Sequence, residues 1–569
     1  MTLASVSRVM SYPQQRLQTH LDDVLILLLF VPLTVLFLVE WVFSLNWRMV
    51  HDTPLLHYVA FLIDHFHYVP YKDIFETSMP GTFLFHLAIG KLFGYGDLAF
   101  RLIDSVWLAA LLLVTWGIMR RFGRRVAWGS VILFGLSYLQ YGPSMSLQRD
   151  YLAILPISAA VYLAMSRICR VRPKNWESTG GNGGYPPESP LVCPDFQKSG
   201  THPICLNFYL KGLFFGILFG LAATIKPHLA IGLPVLLFFA WQQENRSKEN
   251  RPRARYSTAL WLGVCSFIGM AIPVLGVLTW LWQQGALAYF WEMIWSYLPL
   301  HLSLTHTHET ISGLARLEYL AESYRTLGGR SLWLIPAGLG GLVAGFEANL
   351  VANRKREVFL LGSLAILYSL YPVIAGQFFL YHWMPFQYFI VLFAALALVR
   401  LPDPNNSWPK RIYPIFVLGL ALFLVLSFSP DFLRQLKGFP PSPPKGGRVD
   451  EIANYLSTRL TPGDTVQPLD WTGGAVHAML LARAEVATSF IYDYHFYHHI
   501  SNPYIQTLRQ RFLQEFTQAQ PRFVVEIQTQ KPWVSGPDTT REFRELRNIL
   551  ASNYSIAFKG KGYVIYERR

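Results

Sequence analysis

Long apolar runs separated by short basic segments set the pattern of this chain. Runs of this kind predict about eleven membrane-spanning helices, at 23–45, 98–119, 126–142, 150–167, 208–225, 228–243, 257–282, 331–349, 357–374, 384–400 and 412–429. Their lengths approach what is needed to cross the hydrocarbon core of a bilayer. The pattern therefore predicts a polytopic α-helical membrane protein.

The segment between the first two runs has a different pattern. From 46 to 97, charged residues alternate with short amphipathic pieces at 55–66 and 82–93. These pieces are too polar or too short to span a bilayer, and their apolar spacing is typical of interfacial helices. We interpret 46–97 as a first external loop that forms a site, and 283–330 as a third external loop.

The pattern changes again near residue 430. The segment 430–447 contains the sequence PPSPPKGG and indicates a rigid polar linker. Beyond it, helical spacing at 449–460, 473–482, 503–518 and 539–551 alternates with strand-like runs at 465–471, 522–528 and 554–567. The alternation predicts a small α/β domain at 448–569, after a transmembrane catalytic domain at 1–429.

Composition supports a membrane protein, since 52% of residues are hydrophobic and only 15% are charged. Most of the excess positive charge lies in short segments at 120–125, 167–174, 246–255, 354–356 and 400–411. By the positive-inside rule these segments are cytoplasmic. We therefore expect a multi-pass protein of the cytoplasmic (inner) membrane, with a cytoplasmic amino terminus and a periplasmic or external C-terminal domain.

The same distribution of residues excludes several classes of function. No basic patch is interleaved with aromatic residues, so we expect no nucleic-acid partner. The four cysteines lack the spacing of a disulfide framework or a zinc site. The charged residues of the spans lie near predicted external ends, at Glu40, Arg101, Asp104, Asp150 and Lys226. Span centres nearly free of charge argue against a transporter.

Four motifs on the predicted outer face follow one another in an order that resembles the GT-C glycosyltransferases. They are Asp52, the segment VPYKDIFETSMPGTFLFHLAIGKLFGYGDLAFRL, the segment QRDY at 148–151, and ATIKPHLAIGLP at 223–234. Within that superfamily, the chain resembles the branch that holds the protein O-mannosyltransferases and the bacterial aminoarabinose transferase for lipid A. The resemblance covers 45–240 and, more loosely, the rest of the chain.

The resemblance implies a reaction and its groups. Enzymes of this group transfer a sugar from a polyprenyl phosphate to a hydroxyl on a glycan, lipid or protein, here by direct inverting attack. Asp52 would be the general base and Asp150 a second catalytic acidic residue. The leaving phosphate needs cations. Lys226 is the first candidate to bind the donor phosphate, followed by Lys72, Arg101 and Arg149.

Three further site residues come from the same resemblance. Glu76 matches an acidic residue that contributes to a metal site in some relatives. Here, however, Glu292-Met293 stands where those relatives carry a Glu-His pair, so no cofactor is certain and a divalent metal stays open. His382 stands three residues before Pro385, where relatives often carry tyrosine, and we place it with Tyr381 at the site.

Other interpretations stay open. Asp52 alone could be a solvated loop charge, Asp150 could stabilise a helix amino terminus, and Lys226 could extend to lipid headgroups. The histidines at 301, 306, 308, 495, 498 and 499 lack ligand spacing and are interpreted as structural or solvated. A flippase of lipid-linked substrates and a non-catalytic envelope scaffold are the rival functions. The sugar, the acceptor and the oligomeric state are not determined.

Overall fold

The computed structural model describes residues 30–166, 208–245, 252–326, 330–347, 352–399, 429–529 and 534–569, together with positions 28 and 419. Helices dominate the chain before the C-terminal part. They are α1 Phe30–Ser44, α2 Thr53–His65, α3 Pro80–Phe93, α4 Asp97–Met119, α5 Arg124–Leu139, α6 Arg149–Met165, α7 Phe208–Ile225, α8 Leu233–Asn245, α9 Pro252–Gln283, α10 Leu287–Glu292, α11 Leu298–Leu302, α12 Gly313–Thr326, α13 Arg330–Glu347, α14 Ala352–Ile374 and α15 Met384–Leu396. A π-helical turn, Met293–Tyr297, joins α10 to α11.

Within the described residues, three helical segments are long and apolar enough to cross a membrane. These are Asp97–Met119, Tyr256–Gln283 and Arg354–Ile374. Four shorter apolar helices coincide with further predicted spans, at Phe30–Ser44, Tyr209–Ile225, Leu334–Phe346 and Leu380–Leu396. The prediction of eleven spans is thus not established. Much of the predicted span 412–429 and all of the predicted cytoplasmic segment 171–207 lie outside the described residues.

The helices have two distinct ends. At one end, Arg121 at the end of α4 contacts the Met165 carbonyl of α6 and lies 3.1 Å from Glu357 of α14. At the opposite end, Asp150 in the first turn of α6 contacts Lys226, which directly follows α7, and Tyr371 near the end of α14. The basic segment 120–125 and the ionisable residues around Asp150 therefore lie at opposite ends of the helices.

The C-terminal part contains a five-stranded sheet. Its strands are β1 Thr465–Leu469, β2 Glu485–Val486, β3 Phe523–Ile527, β4 Tyr554–Gly560 and β5 Tyr563–Arg568, in the order β2-β1-β3-β5-β4. β1 pairs in parallel with β2 and β3, whereas β5 pairs antiparallel with β3 and β4. The accompanying helices are α16 Pro430–Leu436, α17 Arg448–Ser457, α18 Ala475–Ala482, α19 Pro503–Ala519 and α20 Arg544–Asn553.

These elements match most of the sequence pattern after residue 448. The fully buried strand β3 corresponds to the apolar run at 522–528. The two-residue strand β2 was not predicted because it is too short to show periodicity. Within the predicted linker 430–447, the first residues form helix α16, whose amino terminus is capped when Ser429 Oγ accepts a hydrogen bond from the Phe432 amide at 3.2 Å.

Helix α2 differs from the interfacial helix that its sequence predicts. Every residue from Thr53 to Leu62 is buried, so α2 has no open face along this stretch. The reason is tertiary, because the C-terminal part covers this helix, and the Tyr58 hydroxyl donates to the Ala484 carbonyl at 2.8 Å. Helix α2 is therefore a core helix of the whole molecule.

Further contacts hold the C-terminal part against the first loop. Arg48 pairs with Asp97 at 2.7 Å and with Asp450 at 2.6 Å, so one guanidinium joins both parts. The Phe75 amide donates to the Ser489 carbonyl at 2.7 Å. These bonds place loops of the sheet beside the residues that follow α1 and α2.

Glycine allows one close approach that positions the site. A Cβ atom on Gly81 would lie 2.7 Å from the backbone carbonyl carbon of Thr224, a distance that side chains do not tolerate. Gly81 thus lets the start of α3 contact the end of α7. This approach brings the segment before α3, which carries Glu76 and Ser78, close to Lys226.

Candidate active site

A cavity of about 380 Å³ lies between the helical part and the C-terminal part. This volume is within the range of sites that bind small molecules. Its lining comes from seven regions of the chain, which are the segment before α2, the loop before α3, the start of α6, the turn after α7, the segment 298–308, the segment 371–382 and the loops beside β1. The lining residues used below are His51, Asp52, Glu76, Ser78, Arg149, Lys226, His301, His308, Gln377, Phe379, Tyr381, His382, Trp471, Thr472, Tyr492 and Tyr494.

Asp52 lies at the amino terminus of α2 with its side chain directed to other groups. It occupies the N-cap position, but its side chain makes no capping hydrogen bond, and Pro54 stands in the first turn, where helices tolerate proline. One carboxylate oxygen lies 2.9 Å from His51 Nδ1 and the other 3.5 Å from an Arg149 guanidinium nitrogen. Burial favours a higher pKa for Asp52, but His51, Arg149 and Lys226 outweigh it and hold the pKa below its usual range. Asp52 is thus an ionised carboxylate at neutral pH.

His51 is a site residue that the sequence analysis missed. Its backbone has a φ of 64°, in the left-handed region that non-glycine residues seldom adopt. Strained conformations of this kind concentrate at functional sites. The charge of Asp52 raises the pKa of His51. The only sequence signal that could have identified His51 is its position next to Asp52.

Arg149 connects two acidic residues of the cavity. It lies 3.5 Å from Asp52, and it donates to Ser78 Oγ at 3.0 Å. Ser78 in turn donates from its amide and its hydroxyl to Glu76, each at 3.0 Å, and the Tyr492 hydroxyl donates to the same carboxylate at 3.4 Å. Burial raises the pKa of Glu76, although Arg149 and Ser78 oppose this effect. Nε of Arg149 is buried and has no hydrogen-bond partner within the described residues.

Lys226 faces the cavity from the turn after α7. Because it precedes Pro227, it adopts an extended conformation, and α7 ends at Ile225. Its ammonium lies 2.8 Å from Asp150 and 5.2 Å from the ring centroid of Tyr381. Burial lowers the pKa of Lys226 to about 8, although Asp150 opposes this shift.

Asp150 is fully buried and lies outside the lining of the cavity. It accepts hydrogen bonds from Lys226 and from the Tyr371 hydroxyl. The structure therefore places Asp150 behind Lys226, where its charge holds the ammonium in place.

Tyr381 and His382 lie in a short 3-10 turn, Leu380–Trp383, immediately before α15. Nδ1 of His382 lies 2.9 Å from the Gln377 carbonyl, so this nitrogen carries the proton and donates it. Nε2 is then the acceptor of the ring. Both residues line the cavity, as the sequence analysis placed them at the site.

Two predicted phosphate-binding residues lie elsewhere. Lys72 is exposed and lines a separate surface depression with Asp73 and Arg511. Arg101 is buried, pairs with Asp104 at 2.8 Å, and donates to the Trp47 carbonyl at 3.1 Å. Arg101 thus braces the segment that leads to Asp52 and does not face the cavity.

The donor set for a metal ion is incomplete around Glu76. In the part of the chain that the structure describes, no group of three or more His, Cys, Asp or Glu side chains is placed to hold a metal. Glu292, which stands where relatives carry a Glu-His pair, accepts a hydrogen bond from the Tyr504 hydroxyl at 3.0 Å and lies outside the cavity lining. These residues do not fit a metal site.

The remaining wall of the cavity is aromatic and was not predicted. Trp471 and Tyr494 of the C-terminal part stack with ring centroids 4.4 Å apart, and His308 packs edge-on against Trp471 at 4.6 Å. His301 and His308, interpreted from the sequence as structural or solvated, both line the cavity. Only the folded chain brings these residues together, and no motif in the sequence marks them.

Comparison with solved structures identifies the fold. ArnT from Cupriavidus metallidurans bound to undecaprenyl phosphate superposes with a TM-score of 0.55 at 14% identity, covering 94% of this chain and 97% of that chain. The apo state of the same protein gives a TM-score of 0.56 at 14% identity, with the same coverage. The archaeal oligosaccharyltransferase AglB from Archaeoglobus fulgidus is a weaker match, with a TM-score of 0.43 at 11% identity over 88% of this chain and 70% of that chain. No family model matches the chain, and no curated protein matches it.

These similarities confirm the resemblance that the sequence motifs indicated. ArnT is a lipid A aminoarabinose transferase, and the neighbours are glycosyltransferases of the GT-C superfamily. At this level of identity the likeness shows the fold alone. The chain shares the fold of the ArnT structures, with a small sheet in its C-terminal part.

Proposed function

We propose that this protein is a membrane glycosyltransferase that moves a sugar from a polyprenyl phosphate to an acceptor hydroxyl. The observation that carries the proposal is the grouping of Asp52, Arg149 and Lys226 around one cavity of a GT-C fold. A carboxylate beside two cations is the set of groups that such a transfer needs. The bound undecaprenyl phosphate of the ArnT structure supports a polyprenyl phosphate as the leaving group here.

In this proposal, Asp52 is the general base. The acceptor oxygen attacks the anomeric carbon, the bond from that carbon to the phosphate oxygen breaks, and the hydroxyl proton passes to the Asp52 carboxylate. The pKa of Asp52 is low, but the hydroxyl becomes much more acidic as its oxygen forms the new bond. His51, 2.9 Å from the carboxylate, is a positioning residue that fixes one of its oxygens.

Lys226 and Arg149 stabilise the departing phosphate. Negative charge grows on the phosphate as the bond breaks, and preorganised cations in a sheltered site stabilise that charge. The buried Nε of Arg149 supplies a donor that no group in the described part of the chain accepts from. Asp150 positions Lys226 from behind and does not contact substrate, which revises the catalytic role that the resemblance implied for it.

The proposal also specifies which side of the membrane the cavity faces. The cavity lies at the helix ends opposite the basic segment 120–125, so it faces the periplasm or the exterior of the cytoplasmic membrane. The transmembrane catalytic domain is 1–429 and the external domain is 448–569, joined by 430–447. The partners are the lipid-linked donor, membrane lipids and an acceptor outside the membrane.

The experiment uses the purified full-length protein in detergent. A panel of radiolabelled polyprenyl-phosphate sugars is supplied with crude envelope extract, and label transfer and polyprenyl phosphate release are measured for wild type and Asp52→Asn. Activity in the wild type that is lost in the variant supports both the reaction and its base, and it identifies the donor sugar.

Two other outcomes oppose the proposal. Transfer that survives unchanged in Asp52→Asn removes Asp52 from the mechanism. Binding of the lipids without turnover of any donor favours a flippase or a scaffold. Asp64→Asn is the matched control, because Asp64 lies on the same helix but bonds to Tyr95 and Lys91 outside the cavity.

A further inference from the structure

The cavity divides into a charged half and an uncharged half. The Lys, Arg, Asp and Glu side chains among the described lining residues are Asp52, Glu76, Arg149 and Lys226, which all precede residue 230. The C-terminal part adds Trp471, Thr472, Tyr492 and Tyr494, none of which carries a charge at neutral pH. The proposed donor phosphate occupies the charged half, so the uncharged half is left for another part of the reaction.

Ring contacts run without a break between the two halves. Trp471 contacts His308 at 4.6 Å, His308 contacts Phe379 at 6.0 Å, and Phe379 stacks on Tyr381 at 5.4 Å between ring centroids. Tyr381 reaches Lys226 at 5.2 Å and the His51 ring at 6.1 Å. An acceptor lying along these rings would thus have a hydroxyl next to Asp52.

Trp471 is held as a rigid surface. Tyr494, which is only 1% exposed, stacks on it, and the Tyr494 hydroxyl lies 3.1 Å from His308 Nδ1. Trp471 itself stays partly exposed and lines the cavity. A fixed indole offers a large apolar face at little entropic cost, and the C–H faces of sugar rings pack against such faces.

Hydrogen-bonding groups that suit sugar hydroxyls surround the rings. Nδ1 of His301 is buried without a hydrogen-bond partner in the described part of the chain, although its ring lines the cavity. Burial lowers the pKa of His301 to about 3 and that of His308 to about 4, so both rings are neutral at physiological pH. Thr472 and Gln377 add neutral polar groups. A buried polar atom without a partner costs free energy that a ligand hydroxyl would recover.

We infer that this wall, centred on Trp471, is the acceptor subsite, and that it binds an uncharged sugar ring of a glycan. The inference rests on the proposed function and names the acceptor class for that site. An acceptor with phosphate groups beside its reactive hydroxyl would need cations along this wall, and the described residues that line the cavity here include neither lysine nor arginine. Lys445 shares a pocket with Trp471 and Thr472, but that neighbouring pocket has a volume of only about 20 Å³ and is separate from the cavity. The loop after β1, which carries Trp471 and Thr472, would then contribute to the choice of acceptor.

The test measures binding of the full-length protein in detergent, saturated with undecaprenyl phosphate, by saturation-transfer-difference NMR. The probes are methyl glycosides of glucose, galactose, mannose and N-acetylglucosamine, a threonine-containing peptide and a sugar phosphate. We expect at least one neutral glycoside to bind, Trp471→Ala to weaken that binding about tenfold or more, and Trp471→Phe to restore part of it. Phe558→Ala is the matched control, since Phe558 is an exposed aromatic of β4 outside the cavity, and it should bind as wild type does.

Several outcomes overturn the inference. These are equal binding by wild type and Trp471→Ala, no binding of any neutral glycoside, and preferential binding of the peptide or the sugar phosphate. Undecaprenyl phosphate binding is measured in the same samples and reports on the proposed function separately. Wild-type protein that binds the lipid but no neutral glycoside counts against the acceptor class alone, whereas wild-type protein that fails to bind the lipid counts against the proposed function.

Discussion

The two halves of the cavity differ in origin and in chemistry. The charged half is built from four segments in the first part of the chain, and each segment carries one of the charged side chains Asp52, Glu76, Arg149 and Lys226. The aromatic half comes from the segment 298–308, the turn before α15 and the loops beside β1. The difference teaches that the reaction's charged groups can be located from motifs, whereas the surface for the second substrate arises only when the C-terminal part packs on the first loop.

Among substitutions in the charged half of the cavity, the largest loss of turnover is expected at Asp52. Asp52→Asn removes the base but keeps the size of the side chain, so turnover should fall by about 10²–10⁴-fold, the range for general base catalysis. Radiolabel transfer at saturating donor measures it. A variant that keeps more than about a tenth of wild-type turnover would show that proton transfer does not pass through this carboxylate.

A second large effect is expected at Lys226. Lys226→Gln removes the cation that faces the leaving phosphate, and the rate of polyprenyl phosphate release should fall by roughly 10²-fold. The change also leaves the buried charge of Asp150 without its cation, so a thermal unfolding scan accompanies the assay. Lys226→Gln with Asp150→Asn relieves that cost, and the double variant should stay slow although its stability recovers.

Lys72→Gln is the matched control for that prediction. Lys72 is exposed and lies outside the cavity, so release should stay at the wild-type rate. Slow release in Lys72→Gln together with normal release in Lys226→Gln would show that Lys72, and not Lys226, stabilises the leaving phosphate.

The pH dependence sharpens the comparison further. Burial lowers the pKa of Lys226 to about 8, so its ammonium is charged below that pH and loses its charge as the pH rises through it. The kcat/KM for the donor should therefore fall above pH 8, by about tenfold for each unit once the lysine is deprotonated. Lys226→Arg should keep its charge and move this decline to higher pH. An unchanged alkaline profile in Lys226→Arg would assign the decline to another group.

A smaller effect is expected at His51. His51 helps to hold the pKa of Asp52 below its usual range, so His51→Ala should raise that pKa and move the acid limb of the pH–rate profile upward. Arg149 and Lys226 remain beside the carboxylate, so turnover near neutral pH should fall only about threefold to tenfold. His51→Gln, which can still donate a hydrogen bond, should recover part of the loss. If the acid limbs of the pH–rate profiles are identical in wild type and His51→Ala, His51 does not help to lower the pKa of Asp52.

The sequence was informative where chemistry and periodicity act locally. The apolar runs predicted the long helices α4, α9 and α14, and the alternation after residue 448 predicted most of the C-terminal elements. The motifs named Asp52, Glu76, Arg149 and Lys226 among the candidate site residues, and these four line one cavity.

The predictions from sequence were incomplete or wrong where packing between distant segments determines the position of a helix or a side chain. The burial of α2 depends on contact with Ala484, more than 400 residues away, and periodicity within α2 cannot register it. Lys72 lies in the segment 46–97 and Arg101 in α4, but Lys72 is exposed to solvent and Arg101 pairs with Asp104. Trp471 and His308 belong to segments without any motif, and their contact is a property of the fold.

The most direct test of the division between the halves is the equilibrium binding of undecaprenyl phosphate to wild type, Lys226→Gln and Trp471→Ala. The lipid carries the leaving phosphate but no acceptor, so only the charged half should matter. We expect the Kd for undecaprenyl phosphate to rise about tenfold or more in Lys226→Gln. In Trp471→Ala, the Kd should stay within about twofold of the wild-type value. Wild-type affinity in Lys226→Gln, or an equal loss in both variants, would contradict the division of the cavity.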